Sequence, residues 1–106
     1  MIIYRAMCDE EAELTLRDKR PNFLRRFKWF SHNLDFIKDR VQSGSFNNSK
    51  YKPERYNRLL SFEIENLNKS DFVSNNEIQF DRRKNPKITL IEEIKNPLHE
   101  RVSFII

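Results

Sequence analysis

Seven consecutive residues concentrate the groups best suited to binding chemistry: Arg25-Arg26-Phe27-Lys28-Trp29-Phe30-Ser31. Three cations interleave with three aromatic rings, one of them the sole tryptophan, and the run breaks at a serine. Cations attract an anion and aromatic rings stack on planar groups, so the stretch suits single-stranded nucleic acid. Read as a strand, it sends Phe27 and Trp29 to one side and Lys28 and Phe30 to the other. Ser31 stands where the strand ends and a helix begins, and helix N-termini present free N–H groups to anions. The same residues also fit an aromatic-rich core strand with its basic residues at a solvated end.

Other chemistries are narrowed by what the chain lacks. His32 and His99 are the only histidines, and neither has a metal ligand at helical spacing. The single cysteine, Cys8, excludes an internal disulfide framework and a Cys-rich zinc site, and no histidine lies near it in sequence. One glycine, Gly44, leaves no Gly-rich phosphate loop. Turns that need positive φ must then lean on asparagine and aspartate.

The elements that would carry these groups can be read in order. A chain of 106 residues supports one domain, with a core over about 2–94 and an apolar tail over 97–106. Nine phenylalanines supply much of its apolar surface. The formal charge of +4 and pI near 9.4 permit an anionic partner such as a nucleic acid, a nucleotide or an acidic protein. No signal peptide and no run of membrane-spanning length are visible, so a cytoplasmic location without a membrane partner is expected.

Ile2-Ile3-Tyr4-Arg5 reads as a strand. A helix follows, capped by Asp9 and stopped by Pro21 near Lys19-Arg20, with Ala12 and Leu16 inward and Leu14 or Thr15 at the margin. Residues 23–31 form the next strand. Ser31 or Asn33 then caps a second helix whose apolar stripe is Leu34, Ile37 and Val41, with Gly44 just past its end. Residues 45–56 read as a polar loop. Three strands close the chain: Leu60, Phe62 and Ile64 share one face of the first, Ile78 and Phe80 of the second, and Ile88, Leu90 and Ile94 of the third. The apolar tail is a further edge strand or a docking segment for the body or a partner protein. The order β-α-β-α-β-β-β, with early helices and late strands, predicts an α+β fold.

Three separated elements then form a pattern: Tyr4-Arg5 ending the first strand, Trp29-Phe30-Ser31 ending the second, and Glu77 opening a late one. In this order, on this framework, they resemble the ADP-ribosyltransferase fold, over roughly residues 2–94. That resemblance implies a split sheet, NAD as the substrate, and transfer of ADP-ribose to a macromolecular acceptor, as in small toxins or effectors. It implies that Glu77 stabilises the positive charge developing on the ribose as the bond to nicotinamide breaks. It assigns Arg5 to a phosphate or the adjoining ribose, Ser31 to the ribose and the glutamate, and Tyr4, Trp29 or Phe30 to the wall against the nicotinamide. Two features depart from the family. The residue two before the glutamate is Asn75, which cannot act as a base. A Glu63-x-Glu65 pair, like the biglutamate motif of arginine-modifying members, lies on an earlier strand and is the second choice for the carboxylate.

Ordinary structural roles account for the same residues one at a time: Arg5 at a sheet end, Ser31 as a helix cap, Glu77 on a solvated strand. Two readings without catalysis compete. A nucleic-acid-binding module would use exposed aromatics between Arg25, Arg26 and Lys28, with Lys50 and Lys52 extending the surface. An inhibitor or immunity protein would use its surface alone.

Overall fold

β-Branched and aromatic residues at the start of the chain extend as β1 (Ile2–Met7). The computed structural model describes residues 1–21, 26–43, 56 and 58–94. Cys8 then turns the chain into α1 (Asp9–Asp18), whose first turn carries Asp9, Glu10 and Glu11, favourably placed for the helix dipole. Asp9 is thus the first helical residue, and the expected N-cap falls one residue earlier, on Cys8, which makes no side-chain cap bond. The helix also stops short of Arg20. Lys19 adopts a left-handed conformation (φ 57°) and its N–H bonds Thr15 O, closing the last turn. Ala12 and Thr15 are the buried residues, with Leu14 and Leu16 half-buried.

The next strand, β2, is described over Phe27–Phe30, and residues 23–25 of the expected strand lie outside the described residues. α2 (Leu34–Ser43) buries Ile37 and Val41 as its period requires. Gly44 and nearly all of the expected polar loop lie outside the described residues, as does the C-terminal tail. β3 (Arg58–Ile64), β4 (Ile78–Asp81) and β5 (Ile88–Ile94) follow. The fold is α+β: two helices and five strands, among the described residues, in two antiparallel sheets. No helix among those residues is long and apolar enough to cross a membrane.

One sheet runs β1-β3-β5 and the other β2-β4. A single bridge, Tyr4 to Ser31, joins them, with both its hydrogen bonds made (2.7 and 2.9 Å). Read across it, the order is β4-β2-β1-β3-β5. Beyond the bridge β1 and β2 do not pair, so they part as a fork. One face of the larger sheet packs Ile3, Met7, Leu60, Phe62, Ile64 and Ile88 with Ala12 of α1 and with Phe30, Ile78 and Phe80 of the smaller sheet. The opposite face packs Ala6 and Leu59 against Ile37 and Val41 of α2.

β5 corrects a sequence expectation. Phe62 pairs with Leu90 but Ser61 pairs with Glu92, so Ile91 is an extra residue that inverts the alternation. Ile88 and Leu90 face α1, whereas Ile94 joins the α2 cluster. The inversion turns Glu93 toward Arg58, whose guanidinium also reaches Asp9 and Glu13 of α1. These contacts raise the Arg58 pKa, chiefly through its hydrogen bonds to Glu93.

Candidate functional site

The fork between β1 and β2 opens onto a cavity of about 460 Å³, within the size range of small-molecule sites. Arg5 and Ala6 line it from β1, residues Phe27, Lys28, Trp29 and Phe30 from β2, Ile37 from α2, Tyr56 from the segment before β3, and Glu77 from the residue before β4. Three stretches of the sequence pattern therefore send at least one residue each to a single hollow.

The alternation of β2 decides which of its side chains are available. Paired register sets Phe27 beside Asp81, Lys28 beside Phe80, Trp29 beside Gln79 and Phe30 beside Ile78. Lys28 and Phe30 turn inward, 6% and 3% exposed, and Phe27 and Trp29 turn outward, 43% and 45% exposed. The expected solvated basic residue is buried and two of the aromatics are not, the reverse of a core strand with a basic end. Phe30 meets Phe62 and Phe80 edge-to-face, each at 5.5 Å, and is a core residue that only edges the cavity. Of the aromatics expected at the nicotinamide wall, Trp29 and Phe30 line the cavity, and Trp29 is the exposed one. Tyr4 lies on the opposite face of β1 from Arg5, packed with the α2 cluster, and does not line the cavity.

Arg5 is held rather than free. Its Nε and Nη2 donate to the two oxygens of Glu11 at 2.6 and 2.9 Å, and Nη1 donates to Trp29 O at 2.9 Å, clasping the fork. Lys28 Nζ reaches the same Glu11 carboxylate at 3.1 Å. Burial would push the Glu11 carboxyl up, but hydrogen bonds and charge from Arg5, with Lys28, outweigh it and hold the pKa below its ordinary value. Burial, together with the neighbouring Arg5 charge, lowers the pKa of Lys28 despite the opposing pull of Glu11. Sequence reading missed this triad because its members sit on three elements. The available signal was parity: Lys28 shares a side with Phe30.

Ser31 is fully buried at the apex of the fork. Its Oγ accepts the Asn33 N–H at 3.0 Å, and Asn33 Oδ1 accepts the Phe36 N–H at 3.2 Å, so the pair shapes the entry to α2. A direct contact of the Ser31 hydroxyl with a ligand, as the resemblance implied, is closed off by this burial; Ser31 positions the fork instead.

Glu77 is half-buried and its backbone is fixed. Its N–H donates to Ser74 Oγ at 3.1 Å, and its carbonyl accepts from Val73 N–H at 2.9 Å. Asn33 Nδ2 donates to Asn76 Oδ1 at 3.2 Å, tying the start of α2 to this turn. The Glu77 carboxylate makes no hydrogen bond or ion pair among the described residues. The alternative carboxylates lie elsewhere: Glu63 pairs with the Met1 amino group at 2.8 Å, and Glu65 lines a different cavity with Asp71 and Lys84. Asn75 is exposed beside Glu77. No group of three or more metal-ligating side chains occurs among the described residues.

No protein-family model matches the chain. Neither does any curated protein or solved structure.

Proposed function

We propose that this chain binds NAD at the fork between β1 and β2 and transfers ADP-ribose from it to a macromolecular acceptor. One observation carries the reading: Arg5 and Glu77, far apart in sequence, line the same cavity with Trp29 between the strands that hold them. A fixed guanidinium, an exposed indole and a carboxylate without a partner among the described residues are the three groups a dinucleotide's phosphate, nicotinamide and ribose require.

The chemistry divides among these residues. Arg5, with its Nε–Nη2 edge on Glu11 and Nη1 on Trp29 O, keeps two N–H donors of a permanently charged group for phosphate. Trp29 offers a stacking surface to the nicotinamide. Glu77 faces the ribose. As the bond from C1′ to the nicotinamide nitrogen breaks, its electron pair leaves with nicotinamide, neutralising the ring. The cationic sugar is stabilised by the Glu77 carboxylate. A nucleophile on the acceptor donates a lone pair to C1′ and its proton passes to solvent or to Glu77. The divided strand order β4-β2-β1-β3-β5 supports the same reading, since it leaves a gap between sheets where a dinucleotide can lie.

The test uses the full chain with NAD labelled in its nicotinamide. Release of nicotinamide above background is expected, and Glu77→Gln should lower it about a hundredfold or more with an unchanged melting transition. No release with any acceptor, or full activity in Glu77→Gln, refutes the reading.

A further inference from the structure

The outward face of the β2–β4 ladder runs from the cavity to a cluster of cations. Glu77 and Trp29 stand at its cavity end. Phe27 is the next outward residue, two positions along β2 and about 7 Å of strand from Trp29. The Arg26 guanidinium lies over the Phe27 ring, 4.8 Å from its centroid, and its backbone carbonyl accepts the Arg82 N–H at 2.8 Å. Arg82–Lys84 then form an exposed 3-10 turn of three consecutive cations. Two acids lie within this group: Asp81, bound by Arg26 at 3.0 Å and by the Arg83 N–H at 2.9 Å, and Asp18, which lines one hollow with Arg20 and Arg82. Arg20 joins Arg82 at the border of a neighbouring hollow, and Lys87 is exposed nearby.

Two exposed rings on alternate strand positions are not a core feature, and they lead from a carboxylate to a patch of guanidinium groups. We propose that this face docks single-stranded nucleic acid, and that nucleic acid is the acceptor in the reaction proposed above. The charges select a polyanion, and the rings select one whose bases are unstacked and free to lie on them. A duplex hides its base faces and leaves Phe27 without a partner. The phosphates run over Arg26, Arg82, Arg83 and Lys84, one base stacks on Phe27, and the next reaches the mouth of the cavity at Trp29. The inference rests on the proposed NAD chemistry for the transfer step but not for docking.

Trp29, as the sole tryptophan, reports on the site directly. Titration of the full chain with short mixed-sequence single-stranded DNA and RNA at low salt should quench its emission saturably. The same sequence as duplex should bind at least tenfold more weakly. Raising salt should weaken binding steeply, and Arg82→Ala/Arg83→Ala/Lys84→Ala should weaken it at least tenfold and flatten the salt slope. Phe27→Ala should weaken it severalfold with little change in that slope. With NAD present, label should appear on the oligonucleotide. The triple variant should lose that transfer while keeping nicotinamide release to water.

Absence of quenching, equal affinity for duplex, or indifference to both variants overturns the proposal. So does tighter binding of an acidic polypeptide such as polyglutamate, which would make the acceptor a protein. Nicotinamide release without oligonucleotide binding refutes this inference alone. Binding without any NAD turnover refutes the proposed chemistry and removes the acceptor role with it.

Discussion

The two faces of β2 use the same four residues in opposite ways. Lys28 and Phe30 are enclosed: the ammonium by Glu11, the ring by Phe62 and Phe80. Phe27 and Trp29, one position out of phase, are left open to solvent beside a carboxylate with no partner among the described residues. The inner face holds the fold together and the outer face carries the groups proposed to meet a ligand. A strand four residues long can therefore serve the core with one face and leave the other open, although Lys28 and Phe30 also border the cavity.

The comparison can be broken or sharpened by substitution, face by face. Phe30→Ala should cost about 3–5 kcal/mol of folding stability by emptying the space between Phe62 and Phe80, read by denaturant unfolding. Glu11→Gln leaves Arg5 and Lys28 facing each other without their shared carboxylate. With Glu11 side chain 21% exposed, we expect a loss of about 2–3 kcal/mol, below the range for fully buried pairs. Glu77→Gln, on the outer side, should lower NAD cleavage about a hundredfold or more, about 2.7 kcal/mol of transition-state stabilisation, with folding stability intact. Phe27→Ser should change stability by less than about 0.5 kcal/mol. A large loss there would show that the outer face is structural after all.

Acid sharpens the same contrast. The Glu11 carboxyl is held below its ordinary value in the folded chain, so the unfolded chain takes up its proton first as pH falls. The stabilisation from Glu11 is complete above the ordinary carboxylate range and is lost as pH drops through the lowered folded value. Unfolding curves measured across that window should show a pH-dependent loss that Glu11→Gln removes. An unchanged acid limb in the variant would mean that the triad contributes nothing to it.

Much of this architecture was legible in the sequence where alternation or helical period was unbroken. The α+β order, the inward residues of β3 and β4, and the Ile37–Val41 stripe of α2 follow directly from those periods. What was not legible depended on tertiary placement. Lys19 takes positive φ where asparagine or aspartate is favoured, and among the described residues Asn85 is the one that obeys that expectation. Burial of Lys28 needs an acid from a different element, and Glu11 read naturally as a dipole-favouring helix residue. The convergence of Arg5, Trp29, Phe30 and Glu77 on one cavity was anticipated by the pattern, but the burial of Ser31 and the turning of Tyr4 to the α2 cluster were not. Side-chain direction at a sheet junction depends on which strands part and which stay paired.

The extra residue at Ile91 has a consequence for how this chain tolerates change. It works as a phase shifter: the two halves of β5 are read in opposite frames, one serving the helix on each side of the sheet. Deleting that single residue would join Leu90 directly to Glu92, leaving Glu93 opposite Leu60 and Ile94 opposite Leu59, so both would keep their faces without the bulge. Near this point the polypeptide should tolerate the loss of one residue, a change that would turn side chains to the wrong face in an unbulged strand.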